Sequence, residues 1–434
     1  MEVAEKAIRV LSSAKYVDAR VLKQRSVQFS LRGDSAEHSE FRVERVICRC
    51  IANGYGVASA ELTEDLRGEE LGERALRQAM AAEGEYHLAE VNVEQGEREW
   101  RVKEEVSVEA AEEIMLGLRG EVYDHLKGKP FRLEVIVTHT LTEDVFINSE
   151  GANVREVTPL TDLVAYLVVR DFGEGFSSLC IGGMGGVEAV KDWEVGVEDM
   201  VAKAVDGARA KRTSPVAKWR RQTIILDCDA SGVIAHEVAH MLEGDIYRGE
   251  RVKGAKLIDE FRIFDDPLVN GGYGSFQWDD EGVRGRKKLL LARGHVGLLH
   301  TRLSAVSGDE AGNAHGVYHK PRPMMSNVYI APSDWRIEEI LEETKEGFYL
   351  RGVVRGEIVS FEGVFHLMPE VAYVIKGGEV VKPIKNLRVR DSMFNVLSGV
   401  DAVGRDFKLR PNIDKGFSIS EGGPHIRVRK CRIE

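Results

Sequence analysis

Residues 220–244 read RRQTIILDCDASGVIAHEVAHMLEG, and this passage constrains the chain more than any other. RQTIILD is a short apolar run rich in β-branched residues, as a buried strand is, and CDASG is a turn. The helix that follows has Asp229 or Ser231 available as its N-cap and Gly244 placed to stop it. Buried strand, tight turn and capped helix together read as one βα unit.

On that helix His236 and His240 are four residues apart. Such residues share one face, one turn from each other, within reach of a single ion. The pattern is HExxH. Imidazole nitrogens suit zinc, and an open position on such an ion lowers the pKa of a bound water towards neutrality. Glu237, beside the first ligand, is then the natural general base, taking a proton from that water as it attacks a peptide carbonyl. Glu243 lies three residues past His240 on the same face; it is read as a carboxylate holding an imidazole in its tautomer, or else as a third ligand.

Composition narrows the remaining choices. The chain has 434 residues, 43% hydrophobic and 30% charged, which suits two or three globular domains. A formal net charge of −11 argues against a surface built to neutralise phosphates, so no nucleic-acid partner is expected. The five cysteines, Cys48, Cys50, Cys180, Cys228 and Cys431, form no CxxC pair and no even framework, which fits a reducing cytoplasm. The start, MEVAEKAIRVL, lacks the features of a secretory signal, and no apolar run approaches the roughly 20 residues needed to cross a bilayer. A soluble cytoplasmic protein without a membrane partner is expected.

Periodicity supplies the layout. Helical spacing marks VAEKAIRVLSSA, EELGERALRQAMAAEG, about Ala110 to His125 and about Val195 to Arg212. RVERVICRCIANGYGVASAE and FRLEVIVTHT alternate like strands. After a linker-like KRTSPVAKW, many short glycine-broken strands follow the βα unit, with IEEILEETKEG as one further helix. The expected class is α+β in two domains. An N-terminal mixed α/β domain covers 1–215, with subdomains about 1–104 and 105–215, and a mainly antiparallel C-terminal domain carrying the metal-site helix covers 216–434. His315 and His319 fall in a Gly- and Pro-rich loop and are read as surface residues, while DDEG (279–282) reads as a solvated turn. IGGMGG lacks the lysine of a phosphate loop.

INSEGANVREVTPLTDL, LDCDASGVIAHEVAHMLEGD, GSFQWDDEG, GNAHGVYHKPRPMMSNVYIAPSD, EGFYLRGVVRGEI, AYVIKGGEVVKPIKNLRV and EGGPHIRV together carry a resemblance to the TldD/TldE (PmbA) family, nearer its TldD side. The resemblance implies a two-domain zinc metallopeptidase that cuts unstructured peptides. It also implies a homodimer or a heterodimer with a related TldE-like chain, enclosing a chamber where an extended peptide pairs with a sheet edge. Three departures stand out. The family's usual HExxxH is HExxH here, a spacing that converges without distorting the helix. The cysteine expected as third ligand is missing from LRPNIDKGFSISEGGPH, which leaves Asp414, His425 and Glu243 as replacements and Cys431 as a more distant one. Met324 stands where the family has an arginine before MSN, which would alter a substrate contact. The alternative reading is a non-catalytic TldE-like subunit or peptide-binding scaffold with a weakened metal site.

Overall fold

A computed structural model describes residues 2–9, 14–212, 220–246, 249–359 and 363–434. The first half is built on long strands: β1 (Tyr16–Arg32), β2 (Ser35–Ile51), β3 (Tyr55–Glu61), β4 (Gln95–Glu99), β5 (Phe131–Asn148), β6 (Asn153–Arg170) and β7 (Glu174–Met184). They form one sheet in the order β3-β2-β1-β5-β6, with β4 and β7 following one another along β6. Four helices cover it: α1 (Glu2–Arg9), α2 (Gly68–Ala81), α3 (Val108–Leu126) and α4 (Trp193–Arg209).

Alternation explains how one sheet carries both helical pairs. On β1, Val17, Ala19 and Val21 pack under α1 and α2, while Phe29 and Leu31, of the same parity, pack under α3 and α4. Asp18 and Arg20, of the other parity, turn away from the helices. Buried Asp18 pairs with Arg49 at 2.7 Å, and Arg20 pairs with Asp144 and, at 3.2 Å, with Asp280. Arg49 also donates to the carbonyls of Asp280 and Gly316. This face of the first half is therefore joined to the second by buried ion pairs and by the Arg49 hydrogen bonds.

That junction corrects the solvated-turn reading of DDEG. Asp279 and Glu281 are buried. Asp279 accepts the N–H groups of Glu281, Val283 and Ala314, Glu281 accepts that of Arg302, and Asp280 faces Arg20. Acidic side chains stay inside here because backbone donors and distant arginines replace water.

The second half contains a ten-stranded and a six-stranded sheet. Apart from isolated bridges, its strand pairings are antiparallel except three among the described residues: Arg220–Leu226 with Glu346–Arg351, Asn327–Ile330 with Phe417–Gly423, and Lys211–Arg212 with Glu379–Lys385. Between the sheets runs α5 (Cys228–Met241), whose residues Ala230 to Ala239 are all buried, in one core with Ile224, Leu226, Val328, Ile419 and Ile426. A helix apolar all round has to be enclosed. Two short helices complete this half, α6 (Ile337–Glu343) and α7 (Met393–Ser398). The second is too short to leave a periodic signal; Ser392 caps it through Asn395 N–H at 3.2 Å. Of the linker-like KRTSPVAKW, residues 213–219 lie outside the described residues. Among the described residues no helix is long and apolar enough to cross a membrane.

Candidate metal centre

Asp227, one residue before α5, is its N-cap and accepts Ala230 N–H at 2.9 Å, in place of the Asp229 or Ser231 expected. Its other oxygen accepts Gly352 N–H at 2.7 Å, so the capping carboxylate also ties the helix to a neighbouring strand end. Asp229 instead pairs with Lys408. The helix ends at Met241, before Gly244. Gly244 is required for a different reason: a Cβ there would sit 2.3 Å from His300 Nδ1.

His236 and His240 turn their Nε2 atoms towards each other, 3.0 Å apart. Each Nδ1 faces a buried carboxylate, Glu421 Oε2 at 2.8 Å for His236 and Glu243 Oε1 at 2.6 Å for His240. A carboxylate at Nδ1 holds the proton there and leaves the Nε2 lone pair free to bind. Asp414, on the strand Lys408–Asp414, reaches the same point: its Oδ2 lies 3.1 Å from His240 Nε2. That oxygen is buried and has no aligned hydrogen bond. Two imidazole nitrogens and an orphaned carboxylate oxygen, all within 4.8 Å of one another, fit a divalent zinc-like ion. Tetrahedral ligation at about 2.0–2.1 Å would need nitrogen and oxygen about 3.3 Å apart, close to the spacing found.

Charge is balanced around this point. Burial opposes a charge on His240, but Asp414 and Glu243 outweigh it and push the imidazole up to about 9. Burial likewise opposes ionisation of Glu421, yet Arg410 and His236 hold it well below the usual carboxylate range. Lys415 lies 3.2 Å from Glu243 and 3.8 Å from Asp414. Without an ion, a proton on His240 and the Lys415 ammonium neutralise the acids, the role a bound cation would take.

Glu237 points elsewhere, towards the edge of the ten-stranded sheet. Its Oε2 accepts Ile358 N–H at 3.0 Å, from the strand Arg355–Val359. Burial raises its carboxyl, offset in part by His236 and His240, which makes it a stronger base than an exposed glutamate.

The other expected residues are distributed differently. Glu243 is on the outer nitrogen of His240 and not at the convergence point. His425 is not there at all: its Nδ1 contacts Asp406 and Cys228, at the far end of α5. Cys431 is fully buried in the core. Met324 is 2% exposed and packs in that core, so it offers no direct contact to a substrate. His319 is exposed as expected, but His315 is held between the rings of Phe276 and Phe417. Glu421, Arg410 and Lys415 were missed by sequence reasoning; a glutamate among the small residues of SEGG, in a strand next to the Asp414 strand, was the signal for the first.

The PmbA/TldA metallopeptidase C-terminal domain matches residues 220–434, and the central domain of the same family matches 102–212. A metalloprotease of Methanocaldococcus jannaschii is 28% identical over 98% of both chains. Another, from Methanothermobacter thermautotrophicus, is 30% identical over 67% of each. A zinc metalloprotease TldD homolog of Saccharolobus solfataricus is 28% identical over 48% of this chain and 51% of its own. Among solved structures, TldE from Thermococcus kodakarensis superposes with a TM-score of 0.78 over 99% of both chains at 18% identity, a likeness of fold.

Proposed function

The chain belongs to the PmbA/TldA metallopeptidase family, and we propose that it is a zinc-dependent peptidase acting on unstructured peptides, with His236, His240 and Asp414 holding the ion and Glu237 as general base. The observation that carries this reading is the convergence of both Nε2 atoms with Asp414 Oδ2, a buried oxygen without an aligned hydrogen bond. Bound zinc would supply Lewis acidity, drawing charge from the scissile carbonyl.

The chain's own groups do the rest. Glu421 and Glu243 fix the tautomer and orientation of the two imidazoles. Glu237 takes a proton from the attacking water and returns it to the leaving nitrogen, and Ile358 N–H holds one of its oxygens while it does so. The strand that supplies this N–H stands at the end of the ten-stranded order, paired on one side by Val364–Met368. An extended peptide added along that edge would bring its main chain beside Glu237, a mode that reads backbone more than side chains and excludes folded substrates. Five unbridged cysteines fit a reducing cytoplasm, and the likeness to a TldE structure supports pairing with a related chain or with itself.

One observation favours a second reading, a non-catalytic TldE-like subunit or peptide-binding scaffold. Lys415 Nζ lies 3.2 Å from His240 Nδ1 and could neutralise the acids in place of a metal. Its side chain is 45% exposed, however, and free to swing outward as an ion enters. The test is elemental analysis of protein purified without added metal, together with hydrolysis of an unstructured fluorogenic peptide. Zinc that falls by one equivalent in His236→Ala, with cleavage lost but zinc kept in Glu237→Gln, is the expected result. Cleavage at the unaltered rate in Glu237→Gln, or zinc content unchanged in His236→Ala, would overturn it.

A further inference from the structure

Cys228, Asp406 and His425 meet at the N-terminal end of α5, eight residues and about 12 Å along the helix from His236. Cys228 Sγ lies 3.0 Å from Asp406 Oδ2 and 3.7 Å from His425 Nδ1, and the Asp406 and His425 atoms are themselves in contact. We propose that these three side chains form a second zinc site, separate from the His236 and His240 centre, with thiolate, carboxylate and imidazole ligands.

Two features separate this cluster from a nucleophilic triad. In such a triad the cysteine and the acid occupy opposite nitrogens of the imidazole. Here both converge on Nδ1, while Nε2 is taken by the hydroxyl of Tyr349 at 2.8 Å. That arrangement suits a ligand: with Nδ1 on the ion, Nε2–H donates to Tyr349 Oη, which fixes the ring. The two sulfur contacts, 3.0 and 3.7 Å, lie either side of the roughly 3.6 Å between a thiolate and an oxygen or nitrogen on a tetrahedral zinc, while the 2.5 Å between Asp406 Oδ2 and His425 Nδ1 has to open by about 0.8 Å, through side-chain rotation, to admit the ion.

The second feature is pre-organisation by main chain. Gly404 N–H donates to His425 O at 2.7 Å, and His425 N–H donates to Asp406 Oδ1 at 3.2 Å. Asp406 is thereby oriented through one oxygen, leaving Oδ2 to the cluster. Gly404 is needed for this, since a Cβ there would meet Asp406 Oδ1 at 2.5 Å. All three ligands are half-buried, so the ion has a path from solvent and a fourth position open to water. A thiolate–imidazole–carboxylate set prefers zinc over magnesium or calcium.

Cobalt(II) tests this directly, because the His236 centre contains no sulfur. Cobalt-loaded wild-type protein should show a thiolate-to-metal charge-transfer band in the near ultraviolet, retained in His236→Ala and lost in Cys228→Ser. Zinc titration should give two equivalents in the wild type, one in each single variant and none in the double. Asp406→Asn, which keeps the size of its side chain, should weaken the second equivalent and leave the first. If the charge-transfer band is missing from wild-type protein, or Cys228→Ser binds as much zinc as wild type, the site does not exist. One equivalent retained in His236→Ala and lost in Cys228→Ser would support this site even if the His236 centre proved unable to bind.

Discussion

Replacing Gly232 with alanine sets two effects of known size against each other. Mid-helix Gly→Ala gains about 1 kcal/mol of helix propensity. A Cβ at position 232, however, would sit 2.9 Å from both Gly422 Cα and Gly422 N on the strand Phe417–Gly423. Carbon atoms pack at about 3.5–4.0 Å, so the helix or the strand must move by roughly 0.6–1 Å. The strand cannot yield cheaply: a Cβ on Gly422 would meet Lys408 O at 2.1 Å, which shows how closely it lies on the strand behind it. Overpacking of this kind costs about 1–3 kcal/mol, so the net expectation is a loss of about 1 kcal/mol and, for a chain of 434 residues, a fall in Tm of about 1–2 °C. The displacement falls beside Glu421, which holds His236. A shift beyond about 0.5 Å there exceeds what a metal constellation tolerates, and zinc affinity should drop about 10- to 100-fold, the usual size of such outer-shell effects. Thermal melts followed by circular dichroism and zinc competition against a chromogenic chelator read the two quantities. A variant that melts higher than wild type and binds zinc equally well would show that propensity wins and that the contact is not tight.

Glu421→Gln should also weaken zinc binding about 10- to 100-fold by releasing His236; unchanged affinity would remove Glu421 from the orienting role. Chelation should lower Tm, since zinc at about 100 times its Kd adds roughly 2.7 kcal/mol to the folded state; equal melts with and without chelator would count against a bound ion. Asp265 is fully buried, accepting Ser326 N–H, the Ser326 hydroxyl and Asn313 Nδ2, and burial pushes its carboxyl up to about 6. Its raised pKa makes a contribution fully present below the unfolded value of about 3.9 and lost as pH rises to 6, roughly 3 kcal/mol in all. The stability difference between wild type and Asp265→Asn should therefore shrink by about that amount from pH 4 to pH 7, and a constant difference in denaturant titrations would refute the assignment.

The parts of the site that share a helix were legible in the sequence, and those brought by the sheet were not. Spacing alone places His236 and His240 on one face, and a strand–turn–helix passage predicts α5. The cap was misplaced by two residues because Asp227 and Asp229 are both good N-caps; what decides is that Asp227 also reaches Gly352 N–H. Asp414 could be named only as one of several replacements for the absent cysteine. Nothing local says that the hairpin of Lys408–Asp414 and Phe417–Gly423 lies against a helix about 180 residues earlier. His425 was grouped with Asp414 for the same reason, nearness in sequence. Strand Phe417–Gly423 ends just before Pro424, and the chain enters the other sheet, which carries His425 to the opposite end of α5. DDEG misled because acidic composition normally means solvent, and its arginine partners lie on β1 and β2.

The position of Arg220–Leu226 has a consequence for biosynthesis. The first sheet is complete within residues 16–184, and can close while the remainder is being made. Arg220–Leu226 sits between Glu346–Arg351 and Ile426–Ile433. At about 5–20 residues per second, its two neighbours emerge roughly 6–24 s and 10–40 s after it. During that interval α5 has no Phe417–Gly423 to rest on, and the two histidines lack both Glu421 and Asp414. The second half therefore completes both of its sheets, and brings Glu421 and Asp414 to the two histidines, only when this late hairpin docks.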